Sequence, residues 1–131
     1  METIAMYIQN ALVALAASAL IPTAAWAHPK LLIASPAARS TVAAPAAIKL
    51  RFSERLMPKM SGGTIVMTGM PGMAGHAPMP INGVASAVGK DGKTLILKPR
   101  ARLSPGTYRI NWHIVSVDTH RVTGTHVFAV R

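Results

Sequence analysis

The chain contains no cysteine. No disulfide can brace the fold and no thiolate can bind metal, so the hydrophobic core must suffice alone. Any soft-metal chemistry falls to thioethers, which lose no proton and form no disulfide. Acids are also scarce: four Asp and Glu stand against 14 Lys and Arg, for a formal net charge of +10. Such a balance could serve nucleic acid, an anionic membrane surface or an acidic partner. Aromatic residues make up only 5 % of the chain, the basic residues form no run, and no nucleic-acid-binding motif occurs, which argues against nucleic acid. The charge is read as solvation and attraction to an acidic partner. No long stretch has the period of an amphipathic helix, and no break in composition marks a second domain.

The amino terminus is a different kind of segment. Residues 8 to 21, IQNALVALAASALI, form an apolar run of signal-peptide length, too short for a comfortable membrane span. Ala25-Trp26-Ala27 follows as a small-x-small cleavage site, although METIAMY carries Glu2 and no basic residue. The expected organisation is a cleaved signal peptide over 1–27 and one domain over 28–131, exported to the periplasm. Cleavage would make His28 the first residue. Its free α-amine and its imidazole could then chelate one metal ion.

Short alternating segments separated by turn signals fill the rest. They fall at 31–35, 46–52, 64–68, 81–88, 94–98, a long run after Ser104-Pro105-Gly106, and 125–130. In the third-from-last of these the Asp91-Gly92 turn leads in; in the long run Tyr108, Ile110, Trp112 and Ile114 alternate with Arg109, Asn111 and His113. About seven strands in some hundred residues predict an all-β, two-sheet Greek-key sandwich. Residues 43–47 are a connection within it.

Between 67 and 79 the sequence reads MTGMPGMAGHAPM. Met67, Met70, Met73, His76 and Met79 recur every third residue, a period of neither helix nor strand. The intervening Gly69, Pro71, Gly72, Gly75 and Pro78 predict an irregular or polyproline-like loop. Methionine is commonly a gap-filler in cores, but positions 68 to 80 contain no Leu, Val or Phe. Sulfur rather than bulk is what these positions share. Several neutral thioethers with an imidazole suit Cu(I). Met57 and Met60 lie outside the period and are expected to pack.

A second constellation is SVDTH at 116–120, which puts Asp118 and His120 two apart, able to project from one side of an extended chain. With His28 they make one amine, two imidazoles and a carboxylate, a set suited to tetragonal Cu(II). His113 falls on the outward phase and is expected at the surface. His126 shares phase with Phe128 and Val130, so a hydrogen-bonded, semi-buried histidine is expected there.

These residues carry a resemblance. HPKL at 28–31, KLRFSERL at 49–56, the methionine segment, LSPGTYRINW at 103–112 and SVDTHRVTG at 116–124, in that order, resemble the CopC (PcoC) family of periplasmic copper-resistance proteins. The resemblance implies an Ig-like, cupredoxin-type β-sandwich without a blue-copper site, holding Cu(I) and Cu(II) near opposite ends. It implies Cu(I) ligands among Met67, Met70, Met73, His76 and Met79, with Gly75 an insertion before the histidine. It implies Cu(II) ligands His28, Asp118 and His120, with Glu54 a further contact. The function implied is a non-enzymatic copper carrier that passes the ion to a membrane or outer-membrane copper-handling protein. Two other readings stay open: a copper oxidase or monooxygenase built on the amino-terminal chelate, and a plain interaction module with incidental methionines.

Overall fold

The computed structural model describes residues 28–131; the expected signal peptide and its cleavage site lie outside the described residues. Among the described residues nine strands form two facing sheets. One sheet contains β1 (Leu31–Ser35), β3 (Ile48–Phe52), β7 (Thr94–Pro99) and β6 (Val84–Val88), in that order. The other contains β2 (Thr41–Val42), β9 (Arg121–Val130), β8 (Gly106–Val115), β4 (Gly62–Gly69) and β5 (Met79–Pro80). All pairings are antiparallel except β2 with β9. This is the expected all-β sandwich. The expectation of about seven strands missed β2 and β5, which have two residues each.

Alternation decides which face of each strand is inside. Ile48, Leu50 and Phe52 of β3 are fully buried while Lys49 and Arg51 are exposed. Tyr108, Ile110, Trp112 and Ile114 of β8 meet them from the other sheet, joined by Leu95, Leu97 and Phe128. Each such side chain contributes roughly 1.5–3 kcal/mol on burial, which lets the fold stand without a cross-link. Phe52 and Trp112 pack edge to face with centroids 5.0 Å apart, and Tyr108 stacks on Phe128 at 5.8 Å. The Tyr108 hydroxyl, deep in this core, donates to the Ser104 carbonyl at 2.6 Å. His126 is 5 % exposed with Nε2 2.8 Å from the Pro36 carbonyl oxygen, the semi-buried, bonded histidine expected. His113 is half-buried rather than surface-exposed, because its ring leans over the bare backbone of Gly62, its cross-strand partner.

The hairpin between β6 and β7 turns at Asp91-Gly92, where Gly92 takes a φ of 72° that an L side chain rarely adopts. Asp91 closes the turn by accepting from the amides of Lys93 (2.9 Å) and Thr94 (3.0 Å) and from the Thr94 hydroxyl (2.6 Å). The Thr94 hydroxyl first, then the Lys93 amide, hold its carboxyl below the ordinary aspartate value. A lowered folded-state value adds stability that is present in full above about pH 5 and is lost as pH falls through that value. Asp91→Ala should therefore lower stability at neutral pH, and the gap to the parent should close on acidification. Urea melts at pH 7 and pH 3 would check it; a gap that does not depend on pH would refute it.

β8 runs the length of the molecule and so defines two poles. At its C-terminal end, segment 55–57 pairs with 115–117: Met57 N–H bonds the Val115 carbonyl at 2.8 Å and Val117 N–H bonds the Arg55 carbonyl at 2.9 Å. Residues 28–30 join this pole, with the Lys30 amide on Ser53 Oγ at 2.9 Å and the Ser53 amide on the Lys30 carbonyl at 2.9 Å. At the other end, Thr107 pairs with Gly69, where the methionine segment begins. Among the described residues no helix is long and apolar enough to cross a membrane.

Candidate metal sites

Residues 70–73 of the methionine segment close a tight, paired turn and Met79–Pro80 return as β5, while 74–78 are the irregular loop expected. Met70 and Met73 exchange both backbone hydrogen bonds, at 3.1 and 2.9 Å, around a turn made by Pro71 and Gly72. Proline pre-sets the first turn position, and Gly72 supplies the positive φ of 76° required at the second. Residues directly opposed in this way project from one face, so the turn sets the two thioethers side by side. A second opposed pair follows where β5 returns to β4: Met67 lies across from Met79. A spacing of three residues along the chain thus becomes two cross-strand pairs.

The members differ in exposure. Met70, Met73 and Met79 are 37 %, 56 % and 44 % exposed, which is unusual for apolar side chains without a packing partner and leaves their sulfurs open to solvent. Met67 is only 3 % exposed and belongs to the hydrophobic core, under the hairpin. His76 is half-buried. Its Nδ1 lies 2.7 Å from the Ala77 carbonyl oxygen, while Nε2 is enclosed and has no hydrogen-bond partner. A carbonyl on Nδ1 places the proton there and leaves Nε2 with a free lone pair, the arrangement that orients metal-binding histidines. An imidazole nitrogen with a free lone pair and exposed thioethers, carried on one short segment, are donors that suit a soft cation.

At the opposite pole the structure brings His28, Asp118 and His120 together from distant positions. The rings of His28 and His120 meet edge to face with centroids 5.3 Å apart. Asp118 Oδ2 lies 3.0 Å from His120 Nδ1. The buried Ser116 hydroxyl donates to the other carboxylate oxygen. That hydroxyl first, then the His120 ring, hold the Asp118 carboxyl below the ordinary aspartate value and so keep it ionised. Asp118 and His120 do not share the face of an extended chain, as their spacing suggested. They flank a tight turn in which Thr119 N–H bonds the Ser116 carbonyl at 2.8 Å and Thr119 takes a φ of 73°. A β-branched residue in that region is strained, and such strain gathers at functional sites.

Because Oδ2 faces Nδ1, Asp118 orients the His120 ring. Among the described residues, no three His, Asp or Glu side chains form a ready-made metal cluster. His28 would add its amine as a donor of another type. Glu54 is half-buried between Ser53 and Arg55, at the same pole but outside these contacts. Met60, expected to pack, is 51 % exposed. The short turn Pro58–Met60 buries none of its residues, and that turn was invisible in the residue pattern.

Fold and side chains together define a small β-sandwich protein with a thioether hairpin at one pole and an imidazole–carboxylate cluster at the other. A family model described as the CopC domain matches residues 31–131. Copper resistance protein C of Xanthomonas campestris pv. juglandis is 47 % identical over 119 residues, 91 % of this chain and 92 % of that protein. Copper resistance protein C of Escherichia coli is 49 % identical over 107 residues, 82 % and 84 % of the two chains. The crystal structure of PcoC, a methionine-rich copper resistance protein from Escherichia coli, superposes with a TM-score of 0.72. It is 47 % identical and covers 80 % of this chain and 100 % of its own. The chain belongs to the CopC family.

Proposed function

We propose that the chain is a periplasmic copper-binding carrier of a copper-resistance system. Cu(I) is held on the methionine hairpin and Cu(II) at the His28 pole. The observation that carries this reading is the opposed pair of exposed Met70 and Met73, followed in the same segment by the partnerless Nε2 of His76. Its support from outside the molecule is that the relatives it matches are named for copper resistance. Met70, Met73, Met79 and His76 are the Cu(I) donors, with Met67 beneath them. Because the three sulfurs are open to solvent, a receiving protein can replace them one at a time, which suits transfer by ligand exchange. The recipient is a membrane or outer-membrane copper-handling protein.

Cu(II) is bound by the amine and ring of His28, His120 and Asp118, with Glu54 at the rim. This donor set depends on a chain that starts at His28. One extra alanine in front turns the amine into an amide, which cannot serve as a neutral nitrogen donor at neutral pH. Cu(II) affinity should then fall by about a hundredfold or more, close to 3 kcal/mol at 1.4 kcal/mol per tenfold. The check is an intact mass of the exported protein, then Cu(II) titrations of the native and extended chains followed by Trp112 fluorescence. Equal affinities would remove the amino-terminal site from the reading. The protein is a binder rather than an enzyme, and steady oxygen consumption by the copper-loaded chain with a reductant would contradict that.

A further inference from the structure

We infer that Met57 and Met60 form a second thioether pair, which holds Cu(I) at the pole of His28, Asp118 and His120. The inference rests on the copper-carrier reading and deepens it.

The pair is made by local geometry. Met57 precedes the 3-10 turn Pro58–Met60 in extended conformation, and the Met60 amide bonds the Met57 carbonyl at 3.1 Å. That bond closes a four-residue turn, whose first and last Cα atoms lie within about 7 Å of each other, so the two side chains start from neighbouring points of the backbone. Pro58 at the first position fixes that geometry. Packing does not account for Met60, because about half of it faces solvent and nothing in the turn is buried. Both methionines are missing from the three-residue period of the hairpin, and they lie at the other end of β8.

Their position ties them to the Cu(II) donors. The Met57 amide bonds the Val115 carbonyl at 2.8 Å, and Leu56 bridges Ser116, whose hydroxyl holds Asp118. Just beyond Met60, the Ser61 hydroxyl accepts from the Val115 amide at 3.1 Å, which anchors the turn to the end of β8. His113 leans over Gly62, two residues past Met60: a Cβ on Gly62 would stand 3.6 Å from His113 Nε2. The His113 imidazole thus lies over the start of the strand that follows the turn. Soft donors at this pole complement its amine, imidazoles and carboxylate, so that copper meets matching ligands there in either oxidation state.

The test uses Ag(I), a redox-inert thioether-seeking stand-in for Cu(I), and protein carrying 13C in its methionine methyls. In the native protein the methyls of Met70, Met73 and Met79 should shift with the first equivalent and those of Met57 and Met60 with a second. In M70L/M73L/M79L the Met57 and Met60 methyls should shift with the first equivalent. M57L/M60L should keep the hairpin response and lose the second event. If the hairpin methyls respond while Met57 and Met60 stay unchanged through two equivalents in both proteins, the inference is overturned and the carrier reading stands. If no methionine methyl responds in the native protein, both are overturned.

Discussion

Replacing Met70, Met73 and Met79 together with leucine is expected to weaken Cu(I) binding by about a hundredfold or more, roughly 2.8 kcal/mol at 1.4 kcal/mol per tenfold. Folding stability should barely change. Leucine matches methionine closely in volume, and such swaps cost less than about 1.5 kcal/mol even in cores. All three positions are exposed, so little packing is at stake. The turn would survive, because Pro71, Gly72 and the Met70–Met73 backbone pairing make it without help from sulfur. Met67→Leu is the informative companion. Its side chain is 3 % exposed, so a large loss of Cu(I) affinity from that change alone would promote it from floor to ligand. Competition against a Cu(I)-chelating dye measures both. Undiminished affinity in the triple variant would end the hairpin assignment.

The second large effect concerns the core. Gly124→Ala should destabilise the protein by about 3 kcal/mol, the upper part of the range for overpacked interiors. Gly124 lies across from Trp112 in the β8–β9 ladder, and the indole lies over its bare backbone. A Cβ there would stand 2.7 Å from Trp112 Cε2 and 2.9 Å from Cη2, with Cζ2 closer still. The ring cannot retreat, because Phe52 packs against it with centroids 5.0 Å apart and it is 8 % exposed. For a domain of this size the melting temperature should drop by more than about 10 °C. Trp112→Phe in the same chain should recover part of the loss, since the smaller ring leaves room for the methyl. A double-mutant cycle measured by thermal melts would show that coupling. Additive losses would mean that the clash relaxes by backbone movement instead.

That glycine also explains one limit on what the residue pattern reveals. The last strand begins at Arg121, although its alternation suggests a start at Thr125. Gly124 looks like a turn signal, yet it serves a ring twelve residues earlier in the chain, a need that is visible only once the strands are paired. Alternation was legible wherever one face is buried, as in Ile48, Leu50 and Phe52 or in Tyr108 to Ile114. It could not show β2 and β5, because two residues carry no period. For the sites, residue types were legible and arrangement was not. The Met70–Met73 pairing depends on one Pro-Gly turn, and the meeting of His28 with His120 depends on long-range pairing of 30 with 53 and of 56 with 116. Met60 was misjudged because exposure cannot be read from a residue type that is usually buried.

The length of β8 has a kinetic consequence. Its ten residues separate the two poles by roughly 30 Å at about 3.3 Å per residue. The row it buries between them, Tyr108, Ile110, Trp112 and Ile114, is packed hydrocarbon and aromatic ring. An ion cannot step through that interior from one pole to the other. Exchange between poles must then proceed through solution, a small carrier or an encounter between two molecules. Its rate should rise with the concentration of protein or carrier, where a route inside one chain would be independent of it. The same separation leaves each pole free while the other is covered, so a donor and a recipient can be engaged on one molecule at the same moment.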